Sequence, residues 1–291
     1  MRYQTRSFQY RGHHLVYDEY GEGDQVIVYV HALLLDADIN RGVAAALARQ
    51  GFRVILIDLL GHGRSDKPVY ASEHRMDLYA RQVVALLDHL GAEDAVIAGV
   101  SLGANVTLFV ATEHPGRVRG IITEMPVLET SVPAAALVFI PMLMATHYGR
   151  PAVAVASAIA RRLPRTPWGP VNCVMNTIRN GPASMAAVLH GVLVGPICPA
   201  REARAVIDAP ALVIGHPYDP IHDEQDSENL AALLPDARLV RARAVSELRV
   251  RPSRLAPVIA AFAHECWDRP APVVRQVRAV SEPAITEPTA S

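Results

Sequence analysis

The sequence has few cysteines, no excess of either charge and no long hydrophobic run. Only three of the 291 residues are cysteine, namely Cys173, Cys198 and Cys266, and no Cys-x-x-Cys pair occurs. That number and spacing exclude a disulfide framework and a cysteine zinc site.

Lysine and arginine number 28 against 29 aspartate and glutamate, so the net charge of −1 gives no electrostatic basis for binding nucleic acid. We expect no metal, no cofactor and no nucleic-acid partner.

The hydrophobic runs are short. The first six residues lack the apolar segment of a signal peptide, which predicts a cytoplasmic protein. Residues 132–146 carry no charge, but they include Pro133 and Pro141 and fall short of the ~20 residues that a spanning helix needs. We therefore predict no integral membrane segment. We interpret 132–146 as a buried or lid helix, with peripheral membrane contact as the alternative.

Eight short apolar runs predict β-strands. They are residues 7–10, 14–20, 25–30, 53–58, 95–100, 118–124, 211–215 and 238–242. The first two form an expected hairpin that turns at Arg11 and Gly12. Segments with helical spacing separate the later strands, at 43–50, 79–90, 102–114, 226–234 and 253–267. The alternation predicts an α/β fold with an eight-stranded, mostly parallel sheet covered by helices.

The alternation stops between the sixth and seventh strands. Residues 127–205 contain four helix-like segments and no strand pattern, at 134–144, 151–162, 170–179 and 183–192. We interpret them as a helical cap over the carboxyl edge of the sheet, inserted between core segments 1–126 and 206–268. Residues 269–291 are rich in Pro, Glu, Thr, Ser and Ala, and we expect them to be disordered.

Ser101 lies in the pattern Gly99-Val100-Ser101-Leu102-Gly103, between a predicted strand and a predicted helix. In that context the pattern G-x-S-x-G predicts a nucleophile elbow. The turn holds the serine in a strained conformation and brings the two glycines too close for side chains. The start of the helix favours negative charge that develops beside it. Ser101 is therefore our candidate nucleophile.

Two further segments show a family resemblance. His31-Ala32-Leu33 follows the third predicted strand, and residues 58–65 read Asp-Leu-Leu-Gly-His-Gly-Arg-Ser after the fourth. Together with the elbow, these segments resemble the α/β-hydrolase superfamily over roughly residues 5–267, although Ala32 stands where the family has glycine. The resemblance implies that backbone N–H groups of Leu33 and Leu102 form an oxyanion hole. It makes His31 and His62 structural residues that bond loop backbones.

The acid has two candidates. By the resemblance, Asp219 stands in the turn after the seventh strand, where family members carry the acid. Glu124 ends the sixth strand, where haloalkane dehalogenases and some other relatives place it. A dehalogenase is not expected, because the nucleophile of that family is aspartate and the elbow here presents Ser101.

The usual base is missing. Family members place a histidine in the loop after the eighth strand, but residues 244–252 contain none. His222 follows Asp219 by three residues and is our first candidate, with Glu247 as its main rival. His190 and His216 are weaker candidates. His264 is expected on the solvent face of the last helix.

The sequence therefore predicts a serine hydrolase that cleaves esters or thioesters of apolar acyl groups through a Ser101 acyl-enzyme. The expected partner is a small apolar acyl substrate, and the sequence leaves the oligomeric state open. The first alternative is a degenerate member of the fold that binds an apolar small molecule without catalysis. A further alternative is non-hydrolytic chemistry, such as lyase, transferase or cofactor-free peroxidase activity. Loss of the usual histidine favours the first alternative, whereas the intact elbow favours the enzyme.

Overall fold

A computed structural model describes residues 2–166 and 168–272 of the chain. All eight predicted strands are present in it. The strands are β1 (Gln4–Tyr10), β2 (His13–Tyr20), β3 (Val26–Val30), β4 (Arg53–Asp58), β5 (Ala95–Val100), β6 (Val118–Glu124), β7 (Ala211–Gly215) and β8 (Ala237–Arg241). The described helices are α1 (Arg41–Ala48), α2 (Met76–Leu90), α3 (Leu102–Glu113), α4 (Val132–Tyr148), α5 (Arg150–Arg162), α6 (Gly169–Arg179), α7 (Pro182–Val194), α8 (Arg201–Ala205), α9 (Glu224–Leu233), α10 (Glu247–Val250) and α11 (Leu255–Asp268).

The strands form one sheet in the order β1-β2-β4-β3-β5-β6-β7-β8. Strand β2 pairs antiparallel with β1 and with β4, and the other neighbours are parallel. The hairpin between β1 and β2 turns at Arg11 (φ 49°) and Gly12 (φ 82°), both in the left-handed conformation that tight hairpin turns require. The predicted eight-stranded, mostly parallel sheet is confirmed.

The parallel strands are covered on both faces. Alternate residues of β3 point to opposite sides, so Val28 and Val30 pack with α2 and α3, whereas Ile27 and Tyr29 pack with α1 and α11. All five residues of β3 are buried, as expected of a strand inside a parallel sheet. The carboxyl ends of β3 to β7 consequently meet at one edge of a three-layer core.

Helices α4 to α7 follow β6 and precede β7. Two core side chains hold the segment that leads into them. Asn105 on α3 donates to the carbonyl of Val127 at 2.7 Å, and Asp226 on α9 accepts from the backbone N–H groups of Leu128, Thr130 and Ser131 at 2.8–2.9 Å. Because Asp226 is fully buried, the start of this helical layer is fixed to the core.

Contacts with the core lie at two boundaries of the predicted division into core, cap and tail. Helix α8 packs against α3, so the end of the inserted segment contacts the core. Arg269, the first residue of the predicted tail, pairs with Asp236 at 2.5 Å, and its carbonyl accepts from Arg119 at 3.1 Å. Residues 273–291 of that predicted tail lie outside the described residues.

Within the described residues, no single helix has the length and apolar character needed to cross a membrane. Helices α4 and α5 satisfy both criteria only as a pair, which bends by 94° where they meet.

Candidate active site

Ser101 occupies a sharp turn between β5 and α3. Its backbone angles are φ 55° and ψ −116°, a strained region for a residue other than glycine. A Cβ atom on Gly99 would lie 2.1 Å from the carbonyl oxygen of Gly103, and one on Gly103 would lie 2.4 Å from the carbonyl oxygen of Val30. The turn therefore requires glycine at both positions. The Ser101 N–H donates to the carbonyl of Glu124 at 2.8 Å, which fixes the turn against the end of β6.

The two predicted oxyanion donors lie on separate elements. Leu102 is the first residue of α3, where a backbone N–H has no acceptor inside the helix and where the helix dipole favours negative charge. Leu33 lies in the loop after β3 and packs with Leu34 against the helices above the sheet. Ala32 is not among the residues with positive φ, whereas Leu34 is (φ 61°). Alanine in place of the family's glycine is therefore compatible with the conformation of this loop.

His31 ties this loop to the neighbouring one. Its Nε2 accepts from the N–H of Leu59 at 3.1 Å, and its Nδ1 lies 2.8 Å from the carbonyl oxygen of Ala32. Burial lowers the pKa of His31 and also that of His62, whose Nδ1 lies 3.0 Å from the carbonyl oxygen of Leu60. Both rings contact loop backbones, as the sequence predicted.

Asp58 organises the segment after β4. Its carboxylate accepts from the N–H of Ala37 at 2.8 Å and from the backbone and side chain of Arg64 at 3.0 and 2.7 Å. The hydroxyl of Ser65 donates to the Asp58 carbonyl and accepts from the N–H of Val16 at 2.9 Å. The motif at 58–65 is therefore a scaffold that shapes the loops beside Ser101.

His222 brings an imidazole to Ser101. Its Nε2 lies 2.9 Å from the Ser101 hydroxyl oxygen, and its Nδ1 lies 3.0 Å from Oδ2 of Asp219. The second contact is close, but its alignment falls short of a full hydrogen bond. The Asp219 side chain is 5% exposed and that of His222 is 13% exposed, so water competes little with either contact.

Asp219 is held as an anion. Its Oδ1 accepts from the N–H groups of Ile221 and His222 at 2.8 and 3.0 Å. Burial raises the pKa of Asp219, but the close contact with the His222 ring and the hydrogen bonds from the backbone N–H groups of His222 and Ile221 outweigh burial and bring it to about 2. The carboxylate can therefore keep the proton of the imidazole on Nδ1, which leaves Nε2 free to accept one from Ser101.

Glu124 belongs to a separate buried cluster. Its Oε2 accepts from the Tyr29 hydroxyl at 3.1 Å and from Arg249 at 2.6 Å, and its Oε1 lies 3.1 Å from Nε2 of His216. Burial raises the pKa of Glu124, but the charge of Arg249 leads the effects that lower it overall. None of the described contacts joins Glu124 to His222, so the geometry favours Asp219 over Glu124 as the partner of the imidazole.

This cluster predicts a stability effect for Glu124→Gln. The change leaves the buried guanidinium of Arg249 without a countercharge, so we expect a loss of about 3–5 kcal/mol in the free energy of unfolding. Urea denaturation at neutral pH measures it. A carboxylate whose pKa is lower in the folded protein stabilises the fold at pH values above its pKa in the unfolded chain, which is about 4.3. The difference in free energy of unfolding between wild type and Glu124→Gln should therefore shrink as the pH falls below about 4.3.

Two variants control this experiment. Glu265→Gln breaks an exposed pair with Arg238 and should cost less than about 1 kcal/mol. Adding Arg249→Met to Glu124→Gln removes the unpaired charge and should recover most of the loss. Equal stability of Glu124→Gln and wild type would contradict the assigned role of the cluster.

The other candidate bases lie elsewhere. Glu247 is paired with Arg254 and accepts from the N–H of Arg243, and its side-chain hydrogen bond with Arg254 leads the effects that lower its pKa to about 2. His190 is exposed on α7, and His264 is exposed on α11, as predicted. The His216 ring contacts Glu124 and the carbonyl of Ala244.

The cap helix α4 only partly matches its prediction. The sequence predicts a buried or lid helix over residues 132–146. Phe139, Met142 and Leu143 do pack against Leu33 and Leu34 beside the candidate oxyanion donor. The neighbouring side chains are exposed instead, namely Leu137, Val138, Ile140 and Met144. Helix α4 is apolar on every side, so its inner face could not be identified from sequence alone.

Sequence reasoning missed two site residues. Arg249 lies in the very loop that lacks the usual histidine, yet its partner Glu124 is 125 positions away and no local pattern connects them. Asp226 resembles an ordinary acidic residue in the first turn of a helix, and only the fold reveals its contacts with the start of the cap.

Residues 25–171 match the family model described as alpha/beta hydrolase fold. Over 109 residues the chain is 38% identical to a non-heme chloroperoxidase of Streptomyces lividans, which covers 37% of this chain and 39% of the relative. Over 108 residues it is 37% identical to a 2-hydroxy-6-oxononadienedioate/2-hydroxy-6-oxononatrienedioate hydrolase of Paraburkholderia xenovorans strain LB400, covering 36% of this chain and 37% of the relative. Each alignment thus spans less than two fifths of the curated relative.

The likeness to solved structures extends over most of the chain. The crystal structure of the enol-lactonase from Burkholderia xenovorans LB400 superimposes with a TM-score of 0.69 at 21% identity, covering 91% of this chain and 100% of that one. At this identity the comparison concerns the fold. Because the family model matches half of the chain and the fold agrees, the protein belongs to the α/β hydrolase fold family.

Proposed function

We propose that the chain is a serine hydrolase that cleaves esters or thioesters of apolar acyl groups. The observation that carries this proposal is the 2.9 Å contact between Nε2 of His222 and the hydroxyl of Ser101, on a strained turn at the start of a helix. A nucleophilic hydroxyl with a base in hydrogen-bond reach, oriented by a third group, is the arrangement that acyl transfer needs. The curated relative named as a hydrolase supports hydrolysis as the reaction.

In the first half of the proposed reaction, the Ser101 oxygen attacks the acyl carbon while His222 takes the hydroxyl proton on Nε2. The backbone N–H groups of Leu33 and Leu102 stabilise the negative charge on the former carbonyl oxygen. As the intermediate collapses, the imidazolium of His222 returns the proton to the leaving alcohol or thiol. Asp219 stabilises the imidazolium from the Nδ1 side.

In the second half, water hydrolyses the acyl-enzyme. His222 takes a proton from the water as its oxygen attacks the acyl carbon, and the same two backbone donors stabilise the new intermediate. Collapse of this intermediate breaks the bond to the Ser101 oxygen, which regains its proton from His222. The products are a carboxylic acid and the free enzyme.

The apolar inner face of the cap supports the proposal that the substrate carries an apolar acyl group. Phe139, Met142 and Leu143 form the inner face of α4 and contact the loop that carries Leu33. Methionine and leucine adapt to varied apolar shapes, and such surroundings bind a hydrocarbon chain more favourably than a charged group. The alternative of a non-catalytic binder gains less support, because binding alone would not need an imidazole beside a strained serine.

Burst kinetics test the proposed function. With p-nitrophenyl esters of increasing acyl length, we expect stoichiometric release of nitrophenol followed by slower turnover, with medium-chain or aromatic acyl groups preferred over acetyl. The apolar inner face of α4 is the reason for that preference. Binding without any release would establish the non-catalytic alternative. Fastest turnover of the acetyl ester would contradict the apolar substrate class.

Asp219→Asn is expected to lower kcat by about three to four orders of magnitude. The amide can no longer stabilise the imidazolium, and it favours the wrong tautomer of His222. Stopped-flow measurement of ester hydrolysis at several pH values gives the result. Asp223→Asn is the matched control, because Asp223 lies one residue beyond His222, is exposed and caps α9. Full activity in Asp219→Asn, together with a loss of several orders of magnitude in Glu124→Gln, would instead identify Glu124 as the acid.

A further inference from the structure

Charge is distributed unevenly along the chain. Residues 130–201 contain six arginines, no lysine and no aspartate or glutamate. At the chain's average frequency, a segment of this length would hold about seven acidic residues. This segment carries a formal charge of +6 against −7 on the remaining residues, which together give the net charge of −1. The cap is therefore cationic on an otherwise acidic protein.

The outer face of α4 is apolar and uncovered. Leu137, Pro141, Met144 and Tyr148 recur at helical spacing, so they share one face. Leu137 is 79% exposed and Tyr148 is 78% exposed, whereas Phe139, Met142 and Leu143 on the inner side pack against the loop after β3. A helix with two apolar faces has packed only one of them within the described chain.

Exposed apolar side chains continue beyond α4. Val155 and Ile159 are exposed on α5, and Trp168 is exposed just before α6. The exposed arginines Arg150 and Arg162 stand at the two ends of α5. In the part of the chain that the structure describes, no carboxylate lies within ion-pair distance of either guanidinium.

We propose that this outer cap surface, formed by the exposed side chains of α4, α5 and Trp168, docks on an anionic lipid surface. Exposed arginines attract anionic headgroups, and apolar side chains enter the boundary between headgroups and acyl chains. Tryptophan and tyrosine favour that same boundary, which suits Trp168 and Tyr148. A second copy of the chain is disfavoured as the occupant, because a symmetric contact would oppose two surfaces that carry the same charge.

Vesicle binding followed by tryptophan fluorescence tests the proposal. The chain has two tryptophans, so Trp267→Phe leaves Trp168 as the only tryptophan. With vesicles of phosphatidylcholine and phosphatidylglycerol we expect a blue shift and co-sedimentation, both weakened by added salt. Vesicles of phosphatidylcholine alone should bind at least roughly tenfold more weakly.

Paired variants assign the binding to the outer cap surface. Arg150→Gln with Arg162→Gln should weaken binding to the anionic vesicles by roughly tenfold or more. The control pair, Arg49→Gln with Arg251→Gln, removes two exposed arginines outside the cap and should not weaken it. Leu137→Ser with Ile159→Ser should also weaken binding, whereas Val206→Ser with Val250→Ser, at exposed positions outside α4 to α7, should not.

Three results would overturn the proposal: no binding to either vesicle, equal binding to both, or equal losses in the cap and control variants. A dimer by light scattering that Leu137→Ser with Ile159→Ser dissociates would assign the surface to a second copy and would also overturn it. The assay requires no turnover, so its outcome is independent of the proposed hydrolase activity.

Discussion

Replacing His222 with alanine is expected to lower kcat/KM for an activated ester by about four orders of magnitude or more. The imidazole is the base at hydrogen-bond distance from Ser101, and Glu247, its rival, is paired with Arg254. Progress curves with a p-nitrophenyl ester measure the loss. Added imidazole should restore part of the rate, because the truncated side chain leaves space for it beside Ser101.

The matched control is His264→Ala, which removes an exposed histidine from α11 and should leave the rate unchanged.

The pH dependence of the rate distinguishes the contribution of His222 from that of Asp219. Asp219 has a pKa of about 2 and so stays ionised above that pH, which means that an acid limb above pH 3 does not come from this carboxylate. If His222→Ala keeps the wild-type rate and pH profile, His222 is not the base.

Ser101→Ala is expected to abolish the burst and to reduce turnover by about five to six orders of magnitude, because no acyl-enzyme can form. A fluorophosphonate probe should add one mass increment to the wild-type protein and none to Ser101→Ala, as intact mass spectrometry would show. The variant should fold normally, since the change removes one hydroxyl.

Ser131→Ala is the control for labelling. The Ser131 hydroxyl is also buried and contacts the turn after His222, where it accepts from the N–H of Asp223 at 2.9 Å. Labelling of Ser131→Ala should match wild type. Unchanged labelling of Ser101→Ala would place the nucleophile on another residue.

Much of this molecule could be predicted from its sequence. Most of the strands are short apolar runs bounded by turn residues, and the elbow is specified by two glycines that the backbone itself requires. Asp219 and His222 could be proposed together, because only His222 and His264 follow the acid and the spacing of α11 places His264 on the solvent side.

Other features depend on long-range contacts that no local pattern encodes. Glu124 and Arg249 meet across 125 positions, so the sequence alone could show only an acidic residue at a strand end and an arginine in a loop. The inner face of α4 could not be predicted either, because a helix that is apolar all round shows no preferred side. The contact of His222 with both Ser101 and Asp219 depends on the backbone path of the three-residue turn between Asp219 and His222, and the sequence does not specify that path.

The turn after β7 carries both the carboxylate and the imidazole, and this arrangement changes which parts of the protein can be engineered. The loop from Arg243 to Arg254 supplies no reacting group in the proposed mechanism, although Arg249 within it is tied to the buried Glu124. A library that randomises the exposed positions of this loop and keeps Arg249 would vary the surface of the loop without moving an acid or a base of the proposed mechanism.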